Sequence, residues 1–183
     1  MTNKKTNLML YKTSTKYMAA VNDSTGQFRY SLIRKWGKSQ KLLFVLLNPS
    51  TATAEDDDPT IERCIDYAIK WGYSNLEVVN LFAYRLTDSN RLVDVEGDII
   101  GSENDKYLKK ALLRADTVVL AWGEKGKIQN RGKQVLRIIT KMLNNKEVYC
   151  LRILKGGHPQ HPLYVDSMAK PIVYPIDRQI NIL

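Results

Sequence analysis

The chain has 183 residues, 44% hydrophobic and 26% charged, enough for a single domain with a real core and unlike a disordered or fibrous composition. Lys and Arg number 28 against 19 Asp and Glu, a net charge of +9. That excess favours nucleic acid or nucleotides as partners, because each neutralised phosphate releases counterions, although small basic proteins also carry such charge without binding anything. No stretch approaches the roughly 18 apolar residues of a membrane helix, and Met1–Asn7 is polar and basic with no apolar run behind it to act as a secretory signal. Cys64 and Cys150 lack metal or redox spacing and read as reduced, buried thiols of a cytoplasmic protein.

In chain order, residues 8–36 read as a β-hairpin region, with a turn at Asn22-Asp23-Ser24-Thr25-Gly26 followed by alternating Phe28, Tyr30 and Leu32. Residues 41–47 are a continuous apolar run, as expected of a strand buried on both faces of a parallel sheet, and they stop at Asn48-Pro49-Ser50. A helix follows, with Asp58 as N-cap, Pro59 at the first position and Ile61, Cys64, Ile65, Ala68 and Ile69 at helical spacing up to Gly72. Residues 76–81 form the next strand and 85–91 a polar loop. A charged helix covers 103–115, and residues 117–121 form a third buried strand ending in Trp122-Gly123. An amphipathic helix spans 131–144, and a fourth strand, 147–154, ends in Lys155-Gly156-Gly157-His158.

This alternation predicts one α/β domain over residues 1–183: a three-layer sandwich with a central, mostly parallel sheet of about four core strands flanked by helices. The N-terminal hairpin occupies 8–36, the core 41–166 and a C-terminal tail 167–183. In such sheets ligands bind beyond the carboxyl ends of the strands, so the site is expected in the loops that begin at Asn48, Asn80, Trp122 and His158.

Those four strand ends resemble, in order, the motif series of the uracil-DNA glycosylase superfamily. Leu46-Leu47-Asn48-Pro49-Ser50 is similar to its first motif, and Glu77-Val78-Val79-Asn80-Leu81 to the strand whose terminal Asn reads a flipped base. Val118-Val119-Leu120-Ala121-Trp122-Gly123 resembles its Leu-Leu-Trp-Gly strand, and Gly157-His158-Pro159-Gln160-His161-Pro162-Leu163 its His-Pro-Ser-Pro-Leu motif. At closer range the chain is identified as a member of an uncharacterised bacterial and phage family (DUF 1643). The wording of that family, Leu-Asn-Pro-Ser-Thr-Ala, Asp-Asp-Pro-Thr, Val-Asn-Leu-Phe-Ala and Gly-His-Pro-x-His-Pro-Leu, runs through residues 28–166.

The resemblance implies a nucleobase-directed N-glycosidase acting on DNA or nucleotides, with no cofactor or metal. In it Asn48 positions the attacking water, Asn80 reads a pyrimidine edge and His158 donates to the developing anion of the leaving base. Asp56 or Asp57 would supply the carboxylate that position 48 lacks, with Asp57 the catalytic candidate, whereas Asp58 reads as an N-cap. Pro49, Ser50, Phe82, Trp122, His161 and Leu163 are expected in the substrate pocket, with Tyr84 a further stacking candidate and Leu163 or Tyr164 the candidate wedge. Arg85, Arg131 and Lys155 are candidate phosphate contacts, together with Arg91 and Lys133. The aromatic residue that follows Asp-Pro in the strict uracil enzymes is replaced by Ser50, which implies a roomier pocket for 5-substituted pyrimidines. Gln160 stands where the superfamily has serine. Two other classes remain open on the residues alone: a non-catalytic nucleotide- or nucleic-acid-binding module, and a metal-dependent nuclease using the Asp cluster and His158.

Overall fold

The computed structural model describes residues 6–13, 16–144 and 146–183. Met1–Lys5, the larger part of the basic N-terminal stretch, lie outside the described residues. Among the described residues one mixed sheet of eight strands runs in the order β1-β2-β3-β5-β4-β6-β7-β8. Strands β1 (Thr6–Thr13), β2 (Lys16–Asp23) and β3 (Arg29–Lys35) form an antiparallel meander, so the expected hairpin is three strands. Through β3 the meander joins β5 (Asn75–Asn80) antiparallel.

Strands β5, β4 (Lys41–Leu46), β6 (Thr117–Leu120) and β7 (Tyr149–Cys150) then pair in parallel. β7 is far shorter than the expected strand over 147–154. After Cys150 the chain leaves the sheet to pair with itself: Gln160 N–H donates to Arg152 O at 2.8 Å and Leu154 N–H to His158 O at 2.9 Å. The hydrogen bonds that would extend β7 instead build the turn that carries both histidines.

Burial on both faces of β4 follows from its period of two. Leu42, Phe44 and Leu46 pack under helix α1 (Pro59–Lys70), with Ile61, Cys64, Tyr67 and Ala68 against them. Leu43 and Val45 face α2 (Asn104–Arg114) and α3 (Arg131–Leu143), which bring Leu108, Leu112, Val135, Leu136 and Ile139. Under α1 the rings of Tyr67 and Trp71 stack at 5.1 Å between centroids, and Phe44 lies 6.2 Å from Trp71.

A buried carboxylate holds the opposite end of the sheet. Glu77 on β5 is wholly inaccessible, and it accepts from Lys41 Nζ at 2.9 Å, Arg114 at 2.6 Å and Ser31 Oγ at 3.0 Å. Removing these partners would leave an uncompensated charge, so the cluster locks the meander to the parallel strands.

The C-terminal segment is part of the fold. β8 (Ile172–Val173) pairs antiparallel with β7, and helix α4 (Ile176–Ile182) follows. Tyr174 is 2% exposed and donates its hydroxyl to Gly157 O at 2.8 Å. The segment 167–183, read from sequence as a tail, thus pins the turn before His158 through Tyr174. No helix among the described residues is long and apolar enough to cross a membrane.

Candidate functional site

From β4 the chain passes through α1 to β5 on one side; from β6 it passes through α3 to β7 on the other. Adjacent parallel strands whose connections diverge leave a crevice at their carboxyl ends, where ligands of α/β sheets bind. A cavity of about 820 Å³ occupies this crevice. Three of the four expected loops reach it directly, through Asn48 and Ser50, Trp122 and Gly123, and His161 and Leu163. The fourth contributes Leu86, Thr87 and Ser89 rather than Asn80.

Asn48 is held by its amide nitrogen, which donates to Pro49 O at 3.0 Å and Leu86 O at 2.7 Å. Both partners are carbonyls, so the orientation of the amide is fixed: NH2 toward the loops, and Oδ1 left as an acceptor in a residue that lines the cavity. Leu86 N–H donates to Pro49 O at 2.9 Å, so Asn48 and Pro49 tie two walls of the cleft together.

The acidic run divides between two places. Asp58 lines the cleft and caps α1, accepting from Thr60 N and Ile61 N at 3.0 Å each and from Ala52 N at 3.3 Å. Asp57 does not reach the cleft. Its carboxylate is paired with Arg34 Nε at 2.8 Å beside a separate small cavity that contains Trp36 and Ile65. The catalytic expectation for Asp57 is therefore corrected: Arg34 from β3 holds its carboxylate outside the cleft that Asp58 lines. Asp56 is exposed and accepts from Thr53 Oγ1 at 3.4 Å.

Of the two histidines, only His161 reaches the cavity wall. His161 lines the cleft, and Leu163 N–H donates to its Nδ1 at 3.4 Å. Burial lowers its pKa from 6.5 to about 4, with Asp58 opposing the shift and Lys125 adding to it. The ring is then neutral at pH 7 and, with Nδ1 accepting, carries its hydrogen on Nε2. His158 is 7% exposed and is absent from the cavity wall. Burial lowers its pKa as well, Glu124 opposing and Lys127 assisting.

Behind the wall, His158 Nδ1 and Trp122 Nε1 are both buried without a hydrogen-bond partner among the described residues. A Cβ placed on Gly126 would lie 2.5 Å from that Trp122 nitrogen and 3.2 Å from that His158 nitrogen, so both atoms face this glycine. The Trp-Gly and His-Pro turns are joined in turn, since Gly123 N–H donates to Pro159 O at 2.8 Å.

Other expectations resolve individually. Phe82 is fully buried in the core and Asn80 is 2% exposed, neither on the cavity wall. Pro49 is buried behind Asn48. Tyr84 packs edge-on against Phe28 at 5.7 Å between centroids. Leu163 and Tyr164 line the cleft and are 40% and 71% exposed, and Tyr164 lies 5.7 Å from the His161 ring. Arg131 is not placed where a phosphate contact was expected: only 2% exposed and off the cavity wall, it donates Nε to Leu81 O at 2.9 Å and pairs with Asp105. Lys155, Arg91 and Lys133 do not line the cavity, and Arg85 is half-buried outside it.

The cations that do line it, Lys125 and Lys127, are not among the phosphate contacts expected from sequence. They follow Trp122-Gly123, a strand end already marked, and the signal was their place in that loop. Lys125 Nζ donates to Ser89 Oγ at 2.7 Å across the cleft. No group of three His, Cys, Asp or Glu side chains suited to a metal ion occurs among the described residues.

Neither the curated proteins nor the solved structures offer a match to this chain. A family model does match, over residues 29–163, which span the meander's last strand, the parallel strands and the loops of the cleft. The chain belongs to the family described as a protein of unknown function (DUF1643).

Proposed function

We propose that the cleft is the active site of a nucleobase-directed N-glycosidase acting on DNA or nucleotides, with 5-substituted pyrimidines among its substrates. One observation carries the reading: an oriented amide acceptor, Asn48 Oδ1, and a neutral imidazole donor, His161 Nε2–H, belong to the same cleft at the strand ends. In the reaction the C1′–N bond breaks and its electron pair leaves with the base. A donor at the base oxygen stabilises that anion, and a neutral imidazole in a dry site does so without needing a proton from solvent. Asn48 Oδ1 orients the water that attacks C1′. An amide is no general base, so the water's proton passes to solvent or to the departing base, and electrostatics and positioning supply the rate. The donor role expected for His158 passes to His161. Ser50 on the cavity wall leaves room for a 5-substituent where the strict uracil enzymes carry a ring.

The test is incubation with labelled single- and double-stranded DNA carrying uracil, thymine mismatches or 5-modified pyrimidines, scored for alkali-labile sites with and without chelator. Chelator-resistant sites that vanish in His161→Ala and persist in His158→Ala support the reading; no alkali-labile site on any substrate overturns it. A second reading, a module that binds a nucleotide without turnover, is favoured by one observation. The cleft carboxylate Asp58 accepts three backbone N–H groups and is not free to activate water. That module predicts base or nucleotide binding lost in Asn48→Ala with no product formed.

A further inference from the structure

Arg29, on β3, is 2% exposed and forms no ion pair among the described residues. One of its terminal nitrogens donates to Ala52 O, and its Nε is buried without a hydrogen-bond partner among the described residues. A buried guanidinium normally has a carboxylate against it, because an unpaired charge in the interior costs several kcal/mol. The carboxylates nearest in effect, Asp57 and Asp58, are engaged: Asp57 pairs with Arg34, and Asp58 caps α1. A third cation, Arg85, acts on Arg29 in the wrong direction. Two arginines, Arg85 and Arg34, and two aspartates set the field at Arg29, so the cluster with Arg29 itself holds three arginines against two aspartates.

The backbone register explains why the arginines meet. Phe28 and Tyr84 form an antiparallel bridge, Arg29 N–H donates to Ala83 O at 2.8 Å and Arg85 N–H to Gln27 O at 2.9 Å. Arg29 and Arg85 thus stand diagonally on one face of the bridge, while Phe28 and Tyr84 pack together on the other. The arginine face abuts the cleft. Ala52, which Arg29 holds, follows the cleft residues Ser50 and Thr51, and Leu86, which follows Arg85, lines the cleft as well. Arg85 is half-buried, and its only described side-chain bond is a 3.5 Å contact to Gly26 O.

We infer that Arg29 and Arg85 form an anion subsite behind the Ser50–Thr51 wall, which takes a phosphate ester of the molecule whose base enters the cleft. Arg85, the more open of the two, meets the phosphate, and Arg29 supports it from beneath with its unpartnered Nε. The identity of the ester rests on reading the cleft as a nucleotide site; anion binding itself does not. A doubly charged phosphate between them reverses the excess of positive charge and satisfies a donor that the unliganded protein leaves bare. Burial holds the Arg29 guanidinium below its ordinary pKa, at about 10, so it stays charged at neutral pH.

The first probe is inorganic phosphate, with unfolding of the full chain followed at constant ionic strength against chloride. A saturable rise in Tm of about 2–8 °C is expected at phosphate well above its Kd. Arg85→Gln should raise the phosphate concentration at half-effect by about ten-fold or more. Arg29→Gln should do the same, and if it does not fold, Arg85→Gln alone decides. A phosphate response no larger than that of chloride, or one unchanged in Arg85→Gln, overturns the subsite.

The second arm compares thymidine, thymidine 5′-monophosphate and a short oligothymidylate by calorimetry. Monophosphate binding about ten-fold tighter than thymidine, with the gap closed in Arg85→Gln, supports an ester of a free nucleotide. A gain confined to the oligonucleotide places the ester in a nucleic-acid backbone. Equal affinities for all three overturn the link to the cleft. None of these readings needs turnover, so failure here and failure of the glycosidase test are separate results.

Discussion

Burial keeps the His161 ring uncharged at neutral pH. Its folded pKa of about 4 lies below its ordinary 6.5 because burial disfavours the imidazolium. Between those values the unfolded chain holds a proton on this ring that the native chain does not, so stability rises with pH across the window. The histidine therefore costs nothing above pH 6.5, weakens the fold as pH falls, and exerts its full effect below about pH 4. His158, also shifted downward by burial, acts with the same sign. Denaturation at a series of pH values from 4 to 7 should show stability falling on acidification, and His161→Gln should make that slope shallower. An unchanged slope would mean that water reaches the ring and that it is no dry-site donor. The same proton bears on function, because an imidazolium in the cleft would still donate at Nε2 but would break the Leu163 contact at Nδ1.

At the scale of the element, helix α1 joins fold to site through one side chain. Asp58 satisfies two of the helix's free N–H groups, and through Ala52 N it also holds the loop that follows Asn48. Asp58→Ala should lower stability by about 1–2 kcal/mol, the ordinary value of an N-cap, or a Tm fall of about 2–8 °C. Asp58→Asn should restore most of it, since an amide oxygen caps as well. Activity should fall further than stability in the alanine variant because the Ser50 wall loses its anchor; thermal melts beside ligand titrations of the three chains would check this.

The same element shows what sequence can carry. Asp58, Pro59 and the spacing of Ile61, Cys64 and Ala68 are local signals, and the helix forms where they place it. The apolar run of β4 and the strand-end positions of Asn48, Ser50, Trp122 and His161 were legible for the same reason, since hydrophobic period and turn residues act over a few positions. Arg131 and Asp57 were not legible. Whether an arginine in a site loop meets a phosphate or the Leu81 carbonyl depends on a segment fifty positions away, just past β5. Likewise the choice between Asp57 and Asp58 as the cleft carboxylate rests on Arg34, which β3 delivers from across the sheet. β7 was overestimated because residues 151–154 have strand composition but find their partners in their own continuation, 158–160. Among non-local features, only the order of the motifs along the chain left a trace that sequence reading can use.

At the scale of the whole molecule, the last residues join the layers that the sheet separates. On the α1 side, Tyr67 Oη donates to Asp166 O at 2.8 Å and Trp71 Nε1 to Ala169 O at 3.2 Å. On the other side, Ile176, Ile180 and Leu183 pack into the core formed by α2 and α3. Between them β8 covers the edge of β7, and Tyr174 reaches Gly157 at the base of the histidine turn. A chain that ends at Ala169 keeps every residue of the cleft but loses this strap. It should lose on the order of 5 kcal/mol from the burial of Tyr174 and the α4 side chains, a large share of a domain's usual stability. Loss of the Gly157 anchor should also free the turn, so that ligand affinity declines even at temperatures where the shortened chain remains folded. Denaturant melts and phosphate titration of the two chains separate these effects. Equal midpoints would show that the strap is peripheral, whereas a lowered midpoint with unchanged affinity would show that it holds the layers without positioning the site.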